Sequence, residues 1–256
     1  MKNRKTSLTL VFLALAIGGS WSFAADDTYA VMYRSAWREG IDPRLTIQAP
    51  KPDAISVGTI PQFGEEALRV SMHRSDDFST TEGHVPRAEI VFAPVARFGN
   101  GHEYELRWST MIPMDYLLDS QQPEIITQVH QSSHFGSPPV SLILVDGRYR
   151  VEVRTEPGKP IHSYTFGAPA DDRGRVVKWM LQYRPDDTGA QALTNVYKDG
   201  MRVVHSVGEP NAFPGERNAY FKIGIYKWWW NSRSSDVNDR TMYYGNVEIA
   251  ERVRGR

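Results

Sequence analysis

A short segment of the chain, residues 219–228, alternates apolar side chains with side chains that can transfer protons or bind anions. Its apolar positions are Phe221, Ile223 and Ile225, and the positions between and around them are Tyr220, Lys222, Gly224, Tyr226 and Trp228. Successive side chains of a β-strand point to opposite faces of the sheet. We therefore expect a strand that buries one face and presents phenols, an ammonium group and an indole on the other.

Two earlier segments show the same alternation with different polar groups. Residues 87–92 place Arg87 and Glu89 on one face of a predicted strand, and residues 124–130 place Gln128 and His130 on one face of another. Guanidinium, amide and ammonium groups donate hydrogen bonds to carboxylates, whereas imidazole and phenol can transfer protons. Three strands that carry these groups predict the floor of a site for an anionic sugar.

Each of these pairs also has a purely structural interpretation. Arg87 and Glu89 could pair with each other on a strand surface, and Gln128 and His130 could be polar residues of a solvated face. We favour a site because all three segments occur together and supply complementary groups. In this interpretation Arg87, Gln128 and His130 act directly, whereas Glu89 orients its neighbours.

The rest of the chain predicts an all-β fold. Its 20 glycines and 16 prolines separate short alternating runs along the 256 residues. Asp146-Gly147 and Asp199-Gly200 each lie between two such runs and predict two-residue hairpin turns. No window of a dozen residues carries a helical stripe. These features predict a β-sandwich or jelly roll built as one domain.

The first 24 residues have the pattern of a secretory signal peptide. Lys2, Arg4 and Lys5 precede an apolar run over residues 8–17, and small residues lead to an expected cleavage after Ala24. The apolar run is too short to span a bilayer. We therefore expect a periplasmic or secreted protein, without a membrane anchor, whose mature domain is residues 25–256.

Composition and missing motifs exclude several classes of protein. Removing the three basic residues of the signal segment from a total of 30 basic and 30 acidic residues leaves 27 basic and 30 acidic residues. Such a chain does not bind nucleic acid through its overall charge, and without cysteine it has no disulfide or thiolate metal site. The sequence contains no His-Glu-x-x-His and no Gly-x-Ser-x-Gly.

Two carbohydrate-related alternatives are also less favoured. A glycoside hydrolase needs two carboxylates that flank the scissile bond, and no Glu-x-Asp-x-x-Glu strand is present. A non-catalytic carbohydrate-binding module could use the same fold and the tryptophans. It would not require Lys222 and Tyr226 on one strand beside Gln128 and His130.

The three segments resemble the motifs of the jelly-roll polysaccharide lyases, which include family seven alginate lyases, glucuronan lyases and heparin lyase I-like enzymes. Arg87-Ala88-Glu89-Ile90 is similar to the alginate lyase motif Arg-Ser/Thr-Glu-Leu, and Gln128-Val129-His130 is similar to Gln-Ile/Val-His. Residues 220–226 are similar to Tyr-Phe-Lys-Ala-Gly-Val/Ile-Tyr. The alginate motif then continues Asn-Gln, whereas this chain continues Lys227-Trp228-Trp229-Trp230. The glucuronan and heparin lyase I-like groups therefore match at least as well.

The resemblance implies a concanavalin-like β-jelly roll and a lyase that cleaves a 4-O-linked uronate polymer by β-elimination. It makes Tyr226 the acid, and a candidate base, with His130 as the alternative base or an orienting group. Arg87 and Gln128 would neutralise the uronate carboxylate and stabilise the charge that develops beside it. We also expect Lys222 to bind substrate and to lower the pKa of Tyr226 from its ordinary value of about 10.

Four residues outside these roles complete the predicted substrate-binding set: His84, Arg148, Arg150 and Trp228. His84 ends a loop just before Arg87, and Arg148 and Arg150 share a strand face, for which a solvated edge is the alternative. Trp228 can stack on a sugar ring, but three consecutive indoles cannot all face one way, so at least one must pack inside.

Neither a cofactor nor a metal is part of the predicted site. Some related lyases carry a structural calcium, but the acidic residues 236–239 lack the spacing of a calcium loop. We expect a monomer whose partner is an anionic polysaccharide.

Overall fold

The structure, a computed structural model, describes residues 29–132, 136–158 and 160–253. The predicted signal peptide, residues 1–24, lies outside these ranges. The described residues form sixteen strands in two antiparallel sheets, and no helix among them is long and apolar enough to cross a membrane. Short 3-10 helices lie at Trp37–Glu39, Pro52–Ala54, Glu82–His84 and Pro169–Asp172.

Nine of these strands form the first sheet. They are β1 Tyr29–Arg34, β3 Ile55–Ile60, β4 Glu65–His73, β6 Tyr104–Met111, β11 Val177–Arg184, β12 Leu193–Lys198, β13 Met201–Val207, β15 Asp239–Tyr244 and β16 Glu248–Arg252. The main order is β13-β12-β11-β6-β15-β4-β3, while β16 pairs with both β6 and β1. This sheet forms the back of the sandwich.

The other seven strands form the sheet that carries the predicted site. They are β2 Thr46–Gln48, β5 Arg87–Val91, β7 Glu124–His130, β8 Val140–Val145, β9 Arg148–Val153, β10 His162–Phe166 and β14 Tyr220–Tyr226. Their order is β10-β9-β8-β7-β14-β5-β2. The three predicted site segments are therefore the adjacent strands β7, β14 and β5, and the predicted β-jelly roll is confirmed.

Both predicted hairpins are present. Asp146-Gly147 joins β8 to β9, and Asp199-Gly200 joins β12 to β13. All four turn residues have positive φ, between 50° and 82°. This is the backbone that a type I′ hairpin turn requires and that Asp-Gly tolerates best.

The apolar face of β14 supplies the centre of the core. Phe221, Ile223 and Ile225 are fully buried between the two sheets. The Phe221 ring meets Trp108 of the back sheet edge-on, with ring centres 5.3 Å apart. Because this face is fixed in the core, the alternate residues of β14 must lie on the opposite face of the sheet.

A bulge in the middle of β14 depends on Gly224. Ile223 pairs with Thr127 and Tyr226 pairs with Ile125, so three steps along β14 oppose two along β7. Gly224 has φ 133°, and a Cβ built on it would lie 2.2 Å from the Ala88 carbonyl oxygen. Only glycine fits this close approach of two strands, as at many β-bulges.

The back sheet supports this bulge through Tyr244. Its hydroxyl lies 2.9 Å from the carbonyl oxygen of Gly224 and 2.9 Å from that of Ile126. These two carbonyls lie at the irregular points of β14 and β7. The single hydroxyl proton lies within reach of both carbonyls inside the core, where an unpaired carbonyl would be costly.

Gly224→Ala is expected to lower the free energy of unfolding by about 3 kcal/mol, because the added methyl meets the Ala88 backbone and the positive φ becomes strained. Denaturant unfolding measures this loss. The matched control is Gly58→Ala in β3, where an added Cβ meets no atom within 4 Å. If both variants were equally stable, the close approach at Gly224 would not matter.

Candidate active site

Strand register brings the predicted site residues into one row on the outer face of the second sheet. Tyr226 pairs with Arg87 and Gly224 pairs with Glu89 across β14 and β5. On the other side of β14, Lys222 pairs with Gln128 and Tyr220 pairs with His130. Because side chains alternate along each strand, these groups share the face that points away from the core. His130 and Tyr226 lie toward opposite ends of this row.

The middle of the row is a buried ionic network around Glu89. The Lys222 ammonium lies 2.7 Å from the Glu89 carboxylate, and both side chains are almost completely buried. The Gln128 amide nitrogen donates to the other oxygen of the same carboxylate. Glu89 thus contacts both Lys222 and Gln128. The orienting role that the sequence predicts for Glu89 stays a prediction.

Arg87 lies between this network and Tyr226. Its guanidinium carbon is 4.2 Å from the centre of the Tyr226 ring. The Nη1 atom lies 3.5 Å from Glu89 and 3.3 Å from Glu82. Only 5% of the Arg87 surface is exposed.

Two residues that the sequence analysis missed complete the network. Gln48 of β2 accepts a hydrogen bond from the Lys222 ammonium at 2.8 Å and donates one to Glu82 at 2.7 Å. Glu82 belongs to the loop between β4 and β5, and its side chain is one-third exposed. Burial alone would raise the pKa of Glu82, but the hydrogen bond from Gln48 and the charges of Lys222 and Arg87 lower it. The network thus holds two cations and two carboxylates.

Tyr226 is a protonated phenol in this environment. Burial raises its pKa above the ordinary 10.0, and the opposing charge of Arg87 does not reverse the shift. The prediction that Lys222 lowers the pKa of Tyr226 is therefore wrong. Lys222 is committed to Glu89 and Gln48, and the cation on the Tyr226 ring is Arg87. A protonated phenol can act as an acid at neutral pH.

His130 is a neutral imidazole with a defined tautomer. Burial, together with the charge of Lys222, lowers its pKa below the ordinary 6.5. Its Nδ1 lies 2.7 Å from the carbonyl oxygen of Gln131, which can only accept, so Nδ1 carries the proton. The lone pair is then on Nε2. The Tyr220 ring stacks on His130 with ring centres 5.4 Å apart.

Arg148 and Arg150 lie on β9, which two strands separate from β14, and His84 ends the 3-10 helix that contains Glu82. Arg148 is exposed, and Arg150 pairs with Asp146 at 3.1 Å at the end of the hairpin. The strands β8 and β7 separate β9 from β14. His84 is exposed and its Nδ1 lies 2.7 Å from the Ser79 carbonyl oxygen. Their predicted contacts with substrate stay predictions.

The three consecutive tryptophans differ in burial, as the sequence predicts. Strand β14 ends at Tyr226, and Trp228 lies in the turn beyond it with its ring centre 5.5 Å from that of Tyr226. Trp228 and Trp229 are partly exposed, whereas Trp230 is completely buried. At least one indole therefore packs inside, and Trp228 borders the row of candidate groups.

No group of three or more histidine, aspartate or glutamate side chains suited to a metal ion occurs within residues 29–132, 136–158 and 160–253. The candidate site is a row of proton-transfer groups around a buried network of two cations and two carboxylates. Tyr226 and His130 are its candidate acid and base, and Arg87 is its candidate carboxylate ligand.

Two antiparallel sheets with this row on an outer face form the architecture of a jelly-roll lyase. A family model described as polysaccharide lyase matches residues 35–248, which is most of the chain. The protein therefore belongs to this polysaccharide lyase family and is an enzyme of that class. No curated protein sequence matches the chain.

Solved structures with the same fold include several lyases. Family 7 alginate lyase A1-II′, in complex with the substrate GGMG, superposes with a TM-score of 0.61 at 12% identity, covering 86% of this chain and 98% of that one. The endo-β-1,4-glucuronan lyase of the fungus Trichoderma reesei gives 0.58 at 13% identity, with 80% and 89% covered. Alginate lyase AlyA1 of Zobellia galactanivorans gives 0.52 at 12% identity, with 78% and 81% covered. At these identities the likeness establishes the shared fold.

Proposed function

We propose that the protein is an exported lyase that cleaves a 4-O-linked, uronate-containing anionic polysaccharide by β-elimination. The observation that carries this proposal is the row on β5, β7 and β14, in which a neutral His130, a protonated Tyr226 and the Arg87 guanidinium share one face of the sheet. Similar folds in glucuronan and alginate lyases support a uronate polymer as the substrate. The signal-like first 24 residues support export.

The reaction needs one base, one acid and charge stabilisation. The base removes the proton from C5 of the uronate, the electron pair forms a C4–C5 double bond, and the C4–O bond breaks. The acid gives its proton to the departing glycosidic oxygen, and solvent later restores both groups. Arg87 would bind the uronate carboxylate and stabilise the charge that develops next to it.

Protonation states favour His130 as the base and Tyr226 as the acid. The lowered pKa of His130 leaves the Nε2 lone pair available at neutral pH, while the raised pKa of Tyr226 keeps its proton available. Tyr226 acting as both base and acid would first require loss of that proton. Burial disfavours a phenolate at this position despite the nearby charge of Arg87.

A panel of acidic polysaccharides tests this function. Glucuronan, alginate blocks, heparin and hyaluronan are each incubated with the protein, and the ultraviolet absorbance of an unsaturated uronate is followed. We expect absorbance with at least one polymer. New reducing ends without absorbance would instead indicate hydrolysis, and binding without either product would indicate a non-catalytic module.

The pH dependence of kcat/KM is expected to show a broad plateau with its acid limb below pH 6.5. The active His130 is neutral, so activity is lost when falling pH protonates it, and its lowered pKa moves this loss to lower pH. The raised pKa of Tyr226 places the alkaline limb above pH 10. An acid limb that persists unchanged in the residual activity of His130→Ala would contradict His130 as the base.

A further inference from the structure

A series of rings and guanidinium groups leads from the candidate acid to the rim of the molecule. The Tyr226 ring, which already lies on Arg87, is followed by Trp228 with ring centres 5.5 Å apart. Trp229 follows Trp228 with ring centres 5.3 Å apart. The guanidinium carbon of Arg233 then lies 3.5 Å from the Trp229 ring centre. We call Trp228, Trp229 and Arg233 the Trp-Arg shelf.

Buried contacts beneath the shelf fix it in place. The Lys227 ammonium, completely buried, lies 2.7 Å from the Asp119 carboxylate. The same carboxylate accepts a hydrogen bond from the Ser235 hydroxyl at 2.6 Å. The buried Trp230 donates its indole N–H to the Val237 carbonyl oxygen at 3.0 Å. The segment that carries the shelf is therefore anchored on both sides of its exposed residues.

The shelf presents chemistry that suits an acidic sugar. Arg233 is exposed, and no carboxylate of the described part of the chain lies within ion-pairing distance of it. A guanidinium that stacks on an indole keeps its edge N–H groups free for a carboxylate or sulfate. Trp228, whose ring lies beside that of Trp229, is partly exposed and offers an apolar ring face.

The charges of the candidate site largely cancel, so a cation outside it is needed to attract an anionic polymer. Arg87 and Lys222 are already countered by Glu82 and Glu89. A polyanion that approaches this balanced floor gains little net attraction from it. Arg233, which has no carboxylate partner in the described part of the chain, supplies attraction beyond Tyr226, at the far end of the Trp-Arg shelf.

We propose that the Trp-Arg shelf is a distal subsite that binds one further acidic sugar unit of the polymer, beyond the unit held at Tyr226. Trp228 stacks on that sugar, Trp229 holds the Arg233 guanidinium in position, and Arg233 binds the acid group. This proposal rests on the proposed function, because it assumes a polymer with acid groups on successive units.

Binding measurements on proteins that cannot turn over the polymer test the subsite. In a Tyr226→Phe background, Arg233→Ala is expected to weaken the affinity for an acidic polysaccharide about fivefold, the upper range for an exposed ion pair. The loss should shrink at high ionic strength because the contact is screened. Trp229→Ala should give a similar loss by releasing Arg233. The matched control is Arg202→Ala, an exposed arginine of the back sheet, which should leave affinity unchanged.

The length of the polysaccharide distinguishes a distal subsite from a general loss of electrostatic attraction. Long chains should lose affinity with Arg233→Ala, whereas the shortest fragments that still bind, which reach only the unit at Tyr226, should lose much less. The subsite would be overturned if Tyr226→Phe and Tyr226→Phe/Arg233→Ala bound long chains with equal affinity. It would also be overturned if Arg233→Ala weakened the binding of long and short chains equally. A protein that bound no acidic polymer at all would overturn it as well. The proposed function fails by a different readout, the absence of an unsaturated product from the whole polymer panel.

Discussion

Tyr226→Phe is expected to lower kcat by about 10³-fold, within the range that general acid–base groups contribute. The substitution removes the only proton that the phenol can give to the leaving oxygen. It keeps the ring, so the contact with Arg87 at 4.2 Å and the packing beside Trp228 should persist. Substrate affinity should therefore change little, and the loss of rate corresponds to about 4 kcal/mol of transition-state stabilisation.

A second tyrosine provides the matched control for this loss. Tyr197 of the back sheet is partly buried and donates a hydrogen bond to Gln182 at 3.3 Å. Tyr197→Phe removes a phenol of similar burial from the other side of the sandwich and should leave kcat unchanged. Steady-state rates on the polymer found by the panel decide the question. A Tyr226→Phe variant with wild-type kcat would exclude Tyr226 as the acid.

Alternation along the strands was sufficient to predict the face on which the site lies. Phe221, Ile223 and Ile225 could only be one face of a strand, and their burial leaves Lys222 and Tyr226 on the other. The inward and outward positions of this strand were predictable because its apolar face must be buried. A shift of the pairing by one residue would exchange the two faces. The hairpins were predictable from Asp-Gly because that dipeptide tolerates the backbone of a type I′ turn.

The partners within the row were not predictable from the same pattern. The sequence places Lys222 and Tyr226 on one face, and proximity along the strand suggested that they interact. Cross-strand neighbours are closer than residues four positions apart along a strand, so Lys222 pairs with Glu89 of β5 instead. Arg87, directly across from Tyr226, takes the position that Lys222 was expected to have.

No pattern in the sequence marks Gln48 or Glu82 as a member of the network. Strand β2 has only three residues, too few for an alternating pattern to stand out. Glu82 lies in the loop that connects the two sheets, and its contact with Arg87 depends on how that loop folds back over β5. Local sequence patterns predict neither of these contacts, since both depend on tertiary structure. Glu82 nevertheless places a carboxylate beside Arg87, and Gln48 links Glu82 to Lys222.

Lys222→Met is expected to lower the free energy of unfolding by about 3 to 5 kcal/mol, the cost of leaving a buried charge without its partner. Glu89 would keep a carboxylate that is 1% exposed, with Arg87 3.5 Å away as the remaining cation. Denaturant unfolding measures the loss. The matched control is Lys51→Met, which breaks an ion pair with Asp76 at 2.9 Å whose lysine side chain is 37% exposed. A surface pair of this kind should cost less than about 1 kcal/mol.

The double variant Lys222→Met/Glu89→Leu distinguishes a structural role of the pair from a functional one. Replacing both partners of a buried ion pair with apolar side chains often restores stability, so the double variant should be more stable than Lys222→Met alone. It should not regain activity, because Gln128 and Arg87 lose the carboxylate that orients them. A double variant as unstable as the single one would show that Glu89 carries no penalty when unpaired. Recovery of activity together with stability would show that the polar row needs neither residue, and that Arg87 is positioned by Glu82 and Tyr226 instead.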